Sequence, residues 1–438
     1  MADDILITNG AILTMTGQVP EPLIDGSLLI RNGLIAAIGK RNDIIAPPDR
    51  RTIQVIDARG SLVMPGLVNC HTHAAMTLFR GIADDLPLMT WLNDHIFPAE
   101  TTRVNPDMVY WCTKLAAAEM IRSGTTTCAD GYFYEDTAIA AFLETGMRAV
   151  AAQGVIDFPA PGVAEPTENI RTAADFVLRW LAKNECITPA VFAHSPYTCS
   201  AATLQGAKQL AREQRVPFFI HAAETRDEVR QMQTRHQTTP IQYLESLGVL
   251  DRDTICVHCV WLDEEDIGIL VRTGTRVVTC PASNMKLGAG IAPVVEKTAQ
   301  GIVVGLGTDS CASNNRLDLF AEMALCAKLH KVHHHDPTVL PARRVLQMAT
   351  VDGAAVLGLA DGIGTLAPGK CADIIIVDLN QPHLVPFYNP DLLVYGVDGA
   401  DVTTAIINGR LVMQDRRLLT FDVQETMARV RELSRPLR

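Results

Sequence analysis

The sequence predicts an α/β protein: a (β/α)8, TIM-like barrel inserted in a small β-sandwich domain formed by both chain ends. Three observations lead there. Eight short apolar runs between residues 62 and 308 alternate with longer segments of helical character. Runs of that kind read as parallel βα units, and eight such units close a barrel. Both chain ends instead carry short strands punctuated by Asn-Gly, Asp-Gly and Arg-Gly turns. Finally, five of the eight runs stop at an ionisable residue, the position at which such a barrel keeps its chemistry.

In chain order, strands are expected at 5–8, 11–15, 27–30, 34–38 and 52–57, with Asn9-Gly10 and Asn32-Gly33 as hairpin turns. The barrel strands are expected at 62–69, 124–130, 148–155, 187–194, 216–221, 254–260, 276–280 and 302–308. Helices fall between them at 106–123, 135–145, 167–183, 201–214 and 264–273, and a further helix at 340–359. After Gly364 the pattern returns to β at 372–378, 394–396, 403–408 and 411–413, with Asn408-Gly409 as a hairpin, and 423–433 reads as an amphipathic helix. The expected division is 1–60 plus 365–438 for the small β domain and 61–364 for the barrel.

Composition narrows the function classes. The 438 residues carry a formal net charge of −11 and no long basic run, which argues against nucleic acid and anionic membranes as partners. The opening MADDILITNG has neither the basic nor the long apolar region of a signal peptide. No stretch reaches the ~18 apolar residues of a membrane span. The eleven cysteines are scattered and several sit in apolar runs, as expected of reduced core residues in a cytoplasmic protein. Cys256 and Cys259 have CxxC spacing, but positions i and i+3 of a strand face opposite sides, so no redox or chelating pair is expected.

The chemistry gathers at the strand ends. In LVMPGLVNCHTHAAMTLFR (62–80), an apolar run ends in His71 and His73. Residues i and i+2 of a strand share a face, so two imidazoles would stand side by side as half of a metal site. His194, His221, His258 and Asp309 end four more runs. Each alone is as readily structural; five strands ending this way are not a chance pattern. Three imidazoles and a carboxylate suit Zn²⁺ or Fe²⁺. An open coordination position would hold a water whose pKa drops towards ~7 on zinc. Glu224, three residues beyond His221, lies in the right region to move protons. His258 could donate to a developing oxyanion or act as a ligand itself.

The motifs PGLVNCHTH (65–73), IHAAET (220–225), VHCVWL (257–262), GTDSCASNN (307–315), LAPGKCADIIIVDL (366–379) and AIINGRLV (405–412) resemble those of the amidohydrolase superfamily. Within it the chain is similar to the methylthioadenosine and S-adenosylhomocysteine deaminases, relatives of the chlorotriazine hydrolases. The resemblance runs over essentially the whole chain. It implies one metal ion per chain held by His71, His73, His221 and Asp309, with Asp309 also taking a proton from the attacking water. It implies that Glu224 protonates the ring nitrogen beside the carbon under attack and that His258 stabilises the oxygen. Substrate contacts would come from Trp91, Glu100 at the ribose hydroxyls, His194, Glu224, Asp309 and the Gln153 position. A small-molecule nucleoside is then the expected partner and a homo-oligomer the expected state.

One departure concerns the substrate's 5′ end. Relatives that take S-adenosylhomocysteine often carry arginine at the place of Gln153, and arginine is the natural bidentate partner of an amino-acid carboxylate. A neutral 5′ substituent therefore suits this chain better. Deamination of guanine or a pterin, and triazine hydrolysis, are the alternative reactions. A non-catalytic barrel would have lost ligands that are all present here. Residues 364–371 nearly match a phosphate loop, but Cys371 replaces the required hydroxyl and a strand follows where a helix should. His330 and His333 to His335 read as a solvated helix end.

Overall fold

The computed structural model describes residues 4–17, 21–44 and 53–435. Its first strands are β1 (Asp4–Ile12), β2 (Leu23–Arg31), β3 (Leu34–Lys40), β4 (Ile53–Asp57) and β5 (Ser61–Pro65). Then come β6 (Leu67–Thr72), β7 (Thr125–Tyr132), β8 (Arg148–Val155), β9 (Ile187–Ala193), β10 (Phe218–Ala222), β11 (Thr254–His258), β12 (Arg276–Thr279) and β13 (Val304–Leu306). The last are β14 (Ile374–Asp378), β15 (Val402–Ile407), β16 (Arg410–Gln414) and β17 (Arg417–Leu418). Strands β6 to β13 form an eight-stranded sheet in sequence order, every pair parallel. Helices including Pro106–Arg122, Glu135–Thr145, Asn169–Trp180, Ala201–Gln214 and Glu264–Thr273 alternate with them. This is the predicted barrel.

Its seam is sewn by one side chain. Asn69 Nδ2 donates to Thr308 Oγ1 at 2.8 Å, and Asn69 Oδ1 accepts from Thr308 N at 3.1 Å. Asp309 N then reaches the carbonyl of His71 at 3.0 Å. One face of the strands packs a core that includes Val68, Val150, Phe192, Phe219, Val257 and Val278. The other face packs against the helices, with Ala149, Ala151, Val191 and Phe218 among its members.

The nine remaining strands pair into one sheet, in which β5 joins the two chain ends: it lies antiparallel to β14 and parallel to β1. The sheet curls until the β2–β3 hairpin meets the chain just before β14, where Ile35 N bonds the Lys370 carbonyl at 2.8 Å. Ile5, Ile7, Leu28, Ile30, Val63 and Ile374 lie in the core it encloses.

Several local expectations are corrected. The run 62–69 is two strands, split at Gly66. A Cβ there would lie 2.1 Å from Thr126 Oγ1, so only glycine fits. Gly66 N bonds the Asp373 carbonyl at 3.0 Å, while Leu67 N bonds that of Gly124 at 2.9 Å; one residue transfers the chain from sheet to barrel. Asn9-Gly10 is not a hairpin. Asn9 takes φ 64° inside β1, and Gly10 faces Gly26 across a register shift, so the signal marks a bulge. Asn32-Gly33 and Asn408-Gly409 do join antiparallel neighbours. The segment 394–396 belongs to a helical turn, Leu392–Tyr395, initiated at Asn389-Pro390-Asp391, where Asp391 N bonds Asn389 Oδ1 at 3.0 Å. The helix expected at 340–359 is two, Ala342–Met348 and Val351–Val356. It breaks because the Ala349 carbonyl turns out to accept from Val68 N at 2.8 Å. Of the strand expected at 52–57, Thr52 lies outside the described residues. No helix among the described residues is long and apolar enough to cross a membrane.

A buried ion pair ties sheet to barrel. Arg148, at the start of β8, donates to Asp373 through Nε at 2.7 Å and Nη2 at 3.0 Å. Both side chains are buried. Asp373→Ala should cost about 3–5 kcal/mol, because it strands a buried guanidinium. Arg148→Met/Asp373→Leu should lie much closer to wild type. Urea unfolding of the three proteins measures this; equal stability of the single variant and wild type would refute it.

Candidate active site

Each predicted ligand sits where a strand runs out at one end of the barrel. The alternation of β6 brings His71 and His73 together, ring centroids 4.7 Å apart and nearly perpendicular. His221, on β10, places Nε2 3.3 Å from His71 Nε2. Asp309, just past β13, puts Oδ1 3.5 Å from His71 Nε2 and 3.6 Å from His73 Nε2. Burial lowers the His71 pKa to about 4 and that of His221 well below its ordinary value. Both imidazoles are therefore neutral, the form that binds metal. Burial opposes ionisation of Asp309, but His71, His258 and His73 around it hold its carboxyl well below the usual range. Neutral imidazoles and an ionised carboxylate, ligand atoms converged and no cationic side chain among them, fit a divalent metal.

The surroundings fix these donors. His73 Nδ1 lies 2.5 Å from the Gly131 carbonyl, so that nitrogen carries the proton and Nε2 is left free for a metal. Asp309 Oδ2 accepts from Ser283 at 2.6 Å and Ser313 at 3.1 Å, and Oδ1 accepts from Ser310 N at 2.7 Å. His258 Nδ1 lies 3.0 Å from Asn284 Oδ1. Ala223, His258, Cys259 and Asp309 all have φ between 47° and 73°. Non-glycine residues held there cost about 1–3 kcal/mol each and cluster where function requires them.

That backbone also brings Cys256 and Cys259 nearer each other than strand alternation implies. With His258 and Cys259 both at positive φ, alternation fails at the end of β11. Cys259 Sγ turns back to 3.9 Å from the Cys256 carbonyl, and the two thiols interact. Both are fully buried. Their contact and burial push the Cys256 pKa well up, which keeps the thiol unreactive.

Above the ligands opens a cavity of about 410 Å³. Glu224 lines it, buried, with Oε1 3.8 Å from His258 Nε2. Burial raises its pKa. Glu228 holds the turn beneath it, accepting from Ala223 N at 2.9 Å and Glu224 N at 2.7 Å. Trp91 and Glu100 line the same cavity. In an α-helix, residues nine apart point in opposite directions. Here Trp91–Ile96 is wound wider, with i→i+5 bonds, before the α-helix Phe97–Arg103, and both side chains reach the cavity. Burial raises the Glu100 pKa to about 7 against the opposing hydrogen bond from Tyr132, whose hydroxyl lies 2.6 Å from Oε1. His194 also lines the cavity, and burial lowers its pKa to about 3.

Gln153 does not line it. β8 places Ala149 and Ala151 on the helix-facing side, and Gln153 follows that alternation, its amide directed at the Gly154 carbonyl at 3.5 Å. Its neighbours Gly154 and Val155 line the cavity instead. Sequence reasoning missed Tyr132, Ser283, Asn284 and Ser313. Tyr132 lies two residues beyond the expected end of its strand; Ser313 sits inside the GTDSCASNN motif, where the sequence singles out only Asp309 as functional, and Ser283 and Asn284 carry no motif.

A parallel (β/α)8 barrel whose strand ends gather a His-x-His pair, a third histidine and an aspartate around one cavity defines a divalent-metal hydrolase. Residues 62–412 match the model of the amidohydrolase family. The chain belongs to that family. It is 48% identical over 438 residues to a 5-methylthioadenosine/S-adenosylhomocysteine deaminase of Syntrophobacter fumaroxidans, covering 99% of this chain and 98% of that one. It is 43% identical over 433 residues to a 5′-deoxyadenosine deaminase of Methanothermobacter thermautotrophicus, covering 97% and 96%. Among solved structures it is similar to an adenosine deaminase of Xanthomonas campestris with bound zinc, at 34% identity and a TM-score of 0.95 over 100% of this chain and 99% of that one.

Proposed function

We propose that the chain is a hydrolytic deaminase of adenosine-type nucleosides that binds one ion per chain, zinc or iron, through His71, His73, His221 and Asp309. It converts the nucleoside and water to the inosine analogue and ammonia. The observation that carries this reading is a single cavity lined by His73, His221, Asp309, Glu224 and His258 together with Glu100 and Trp91. A divalent ion in this site supplies an activated water at neutral pH. Glu224, whose protonated form burial favours, gives its proton to the ring nitrogen next to the carbon under attack, which breaks the aromaticity. Asp309 takes a proton from the attacking water and passes it to the departing amine. His258, oriented by Asn284, stabilises the developing oxygen. Guanine, pterins and triazines are not favoured, since none carries the vicinal hydroxyls by which a ribose would pair with Glu100. The free state of all eleven cysteines supports a reducing, cytoplasmic setting.

The cavity also bears on the 5′ substituent. Among the described residues no lysine or arginine lines it, and its carboxylates are Glu100, Glu224 and Asp309. A homocysteine carboxylate would forgo a charge-assisted pair worth roughly 1.5–3 kcal/mol. Methylthioadenosine, 5′-deoxyadenosine and adenosine should therefore exceed S-adenosylhomocysteine in kcat/KM by about 10- to 150-fold. Arginine at position 153 would begin in the helix-facing layer and is no remedy. The test is a panel of these nucleosides with guanine, a pterin and a triazine, followed by ultraviolet absorbance and ammonia release. Turnover of the last three alone would overturn the nucleoside reading. S-adenosylhomocysteine at parity would overturn the tail preference.

A further inference from the structure

Glu100 is buried, and among the described residues its carboxylate takes a hydrogen bond from one, the Tyr132 hydroxyl at 2.6 Å from Oε1. Tyr132 is the last residue of β7 and is itself 5% exposed. Burial and the adjacent Glu100 push its pKa well up, so the phenol keeps its proton and donates it to the hydrogen bond. Its ring centroid stands 6.2 Å from that of His73. The residue before it, Gly131, is the one whose carbonyl holds His73 Nδ1. One strand end therefore touches a metal ligand with its backbone and the Glu100 carboxylate with its side chain.

We propose that Tyr132 is a positioning residue for the sugar end of the substrate: by occupying one lone pair of Glu100 Oε1 it fixes the carboxylate so that its remaining lone pairs receive the two ribose hydroxyls. This rests on the reading of Glu100 as the ribose ligand. The geometry sets the distance between sugar and reacting ring through one rigid element. A buried carboxylate with a single donor is otherwise free to turn about its last torsion, and that freedom is lost on binding. The rival account is that the hydrogen bond only satisfies two buried polar groups.

The two accounts separate through the substrate's hydroxyls. Wild type, Tyr132→Phe, Glu100→Gln and the double variant, each loaded with metal and checked by circular dichroism, are assayed on a 5′-matched ribonucleoside and its 2′,3′-dideoxy analogue. Tyr132→Phe should raise KM for the ribonucleoside about tenfold, with kcat within about twofold. It should also shrink the KM ratio of dideoxy to ribo substrate about tenfold. The double variant should be no worse than Glu100→Gln alone, as expected of residues that act as a unit. Tyr132→Phe losses that are equal on both substrates, or that fall on kcat, would overturn the proposal, as would additive losses in the double variant. If Glu100→Gln fails to discriminate between the substrates, the ribose reading and the proposal fall together, while turnover of both substrates would leave the deaminase assignment standing.

Discussion

Glu224→Gln is expected to lower kcat by about 10²–10⁴-fold while metal content and KM stay near wild type. The amide matches the carboxyl in shape and can still donate a hydrogen bond, but it has no proton to transfer. The cavity favours the form of Glu224 this role needs: burial raises its pKa towards the protonated form, and its turn is held by Glu228 and by the positive φ of Ala223. The nearest basic group is His258 Nε2 at 3.8 Å, close enough to stabilise the carboxylate once the proton has left. Steady-state kinetics with parallel metal analysis decides the matter. A variant with normal kcat and raised KM would make Glu224 a binding residue.

His71→Ala and His73→Ala should each remove the metal and nearly all activity while the barrel stays folded. The two histidines are half of the donor set, and β6 pairs with β7 through backbone bonds that neither imidazole makes. Metal analysis after dialysis, far-ultraviolet circular dichroism and turnover are the three readouts. Full turnover by metal-free protein in chelator would refute the site. So would two tightly bound ions per chain, since His194 rather than a bridging lysine follows β9.

The barrel and its ligands were legible because both depend on period-two alternation: apolar runs mark strands, and i, i+2 places His71 beside His73. What escaped was local backbone that departs from that period. Gly66 is dictated by Thr126, a residue sixty positions away; Pro65-Gly66 interrupts the apolar run, but the dipeptide does not say that the chain changes sheets there. Asn9-Gly10 supplies the positive φ of a turn, yet its neighbours pair on both sides of it, so the same dipeptide makes a bulge. Cys259 lies beside Cys256 because two consecutive residues at positive φ undo the alternation. Gln153 is a cavity residue only by resemblance to relatives, whereas the parity of β8 sends it to the helices. Asn284, Ser283 and Tyr132 orient the reacting groups through single hydrogen bonds, and such contacts leave no periodic trace.

The transfer of the chain at Gly66 has a consequence for how the protein is made. Synthesis proceeds from the N-terminus, so β5 and the histidine-bearing β6 leave the ribosome before every other barrel strand. Leu62, Val63 and Met64 pair with Val377, Ile376 and Ile375, which are made only after the barrel sequence is complete. Until then β5 has an unpaired, apolar edge, the kind of surface that recruits other chains. Contacts so distant in sequence are slow to form. The strand just before His71 and His73 therefore gains its β14 neighbour only after every barrel strand has been synthesised.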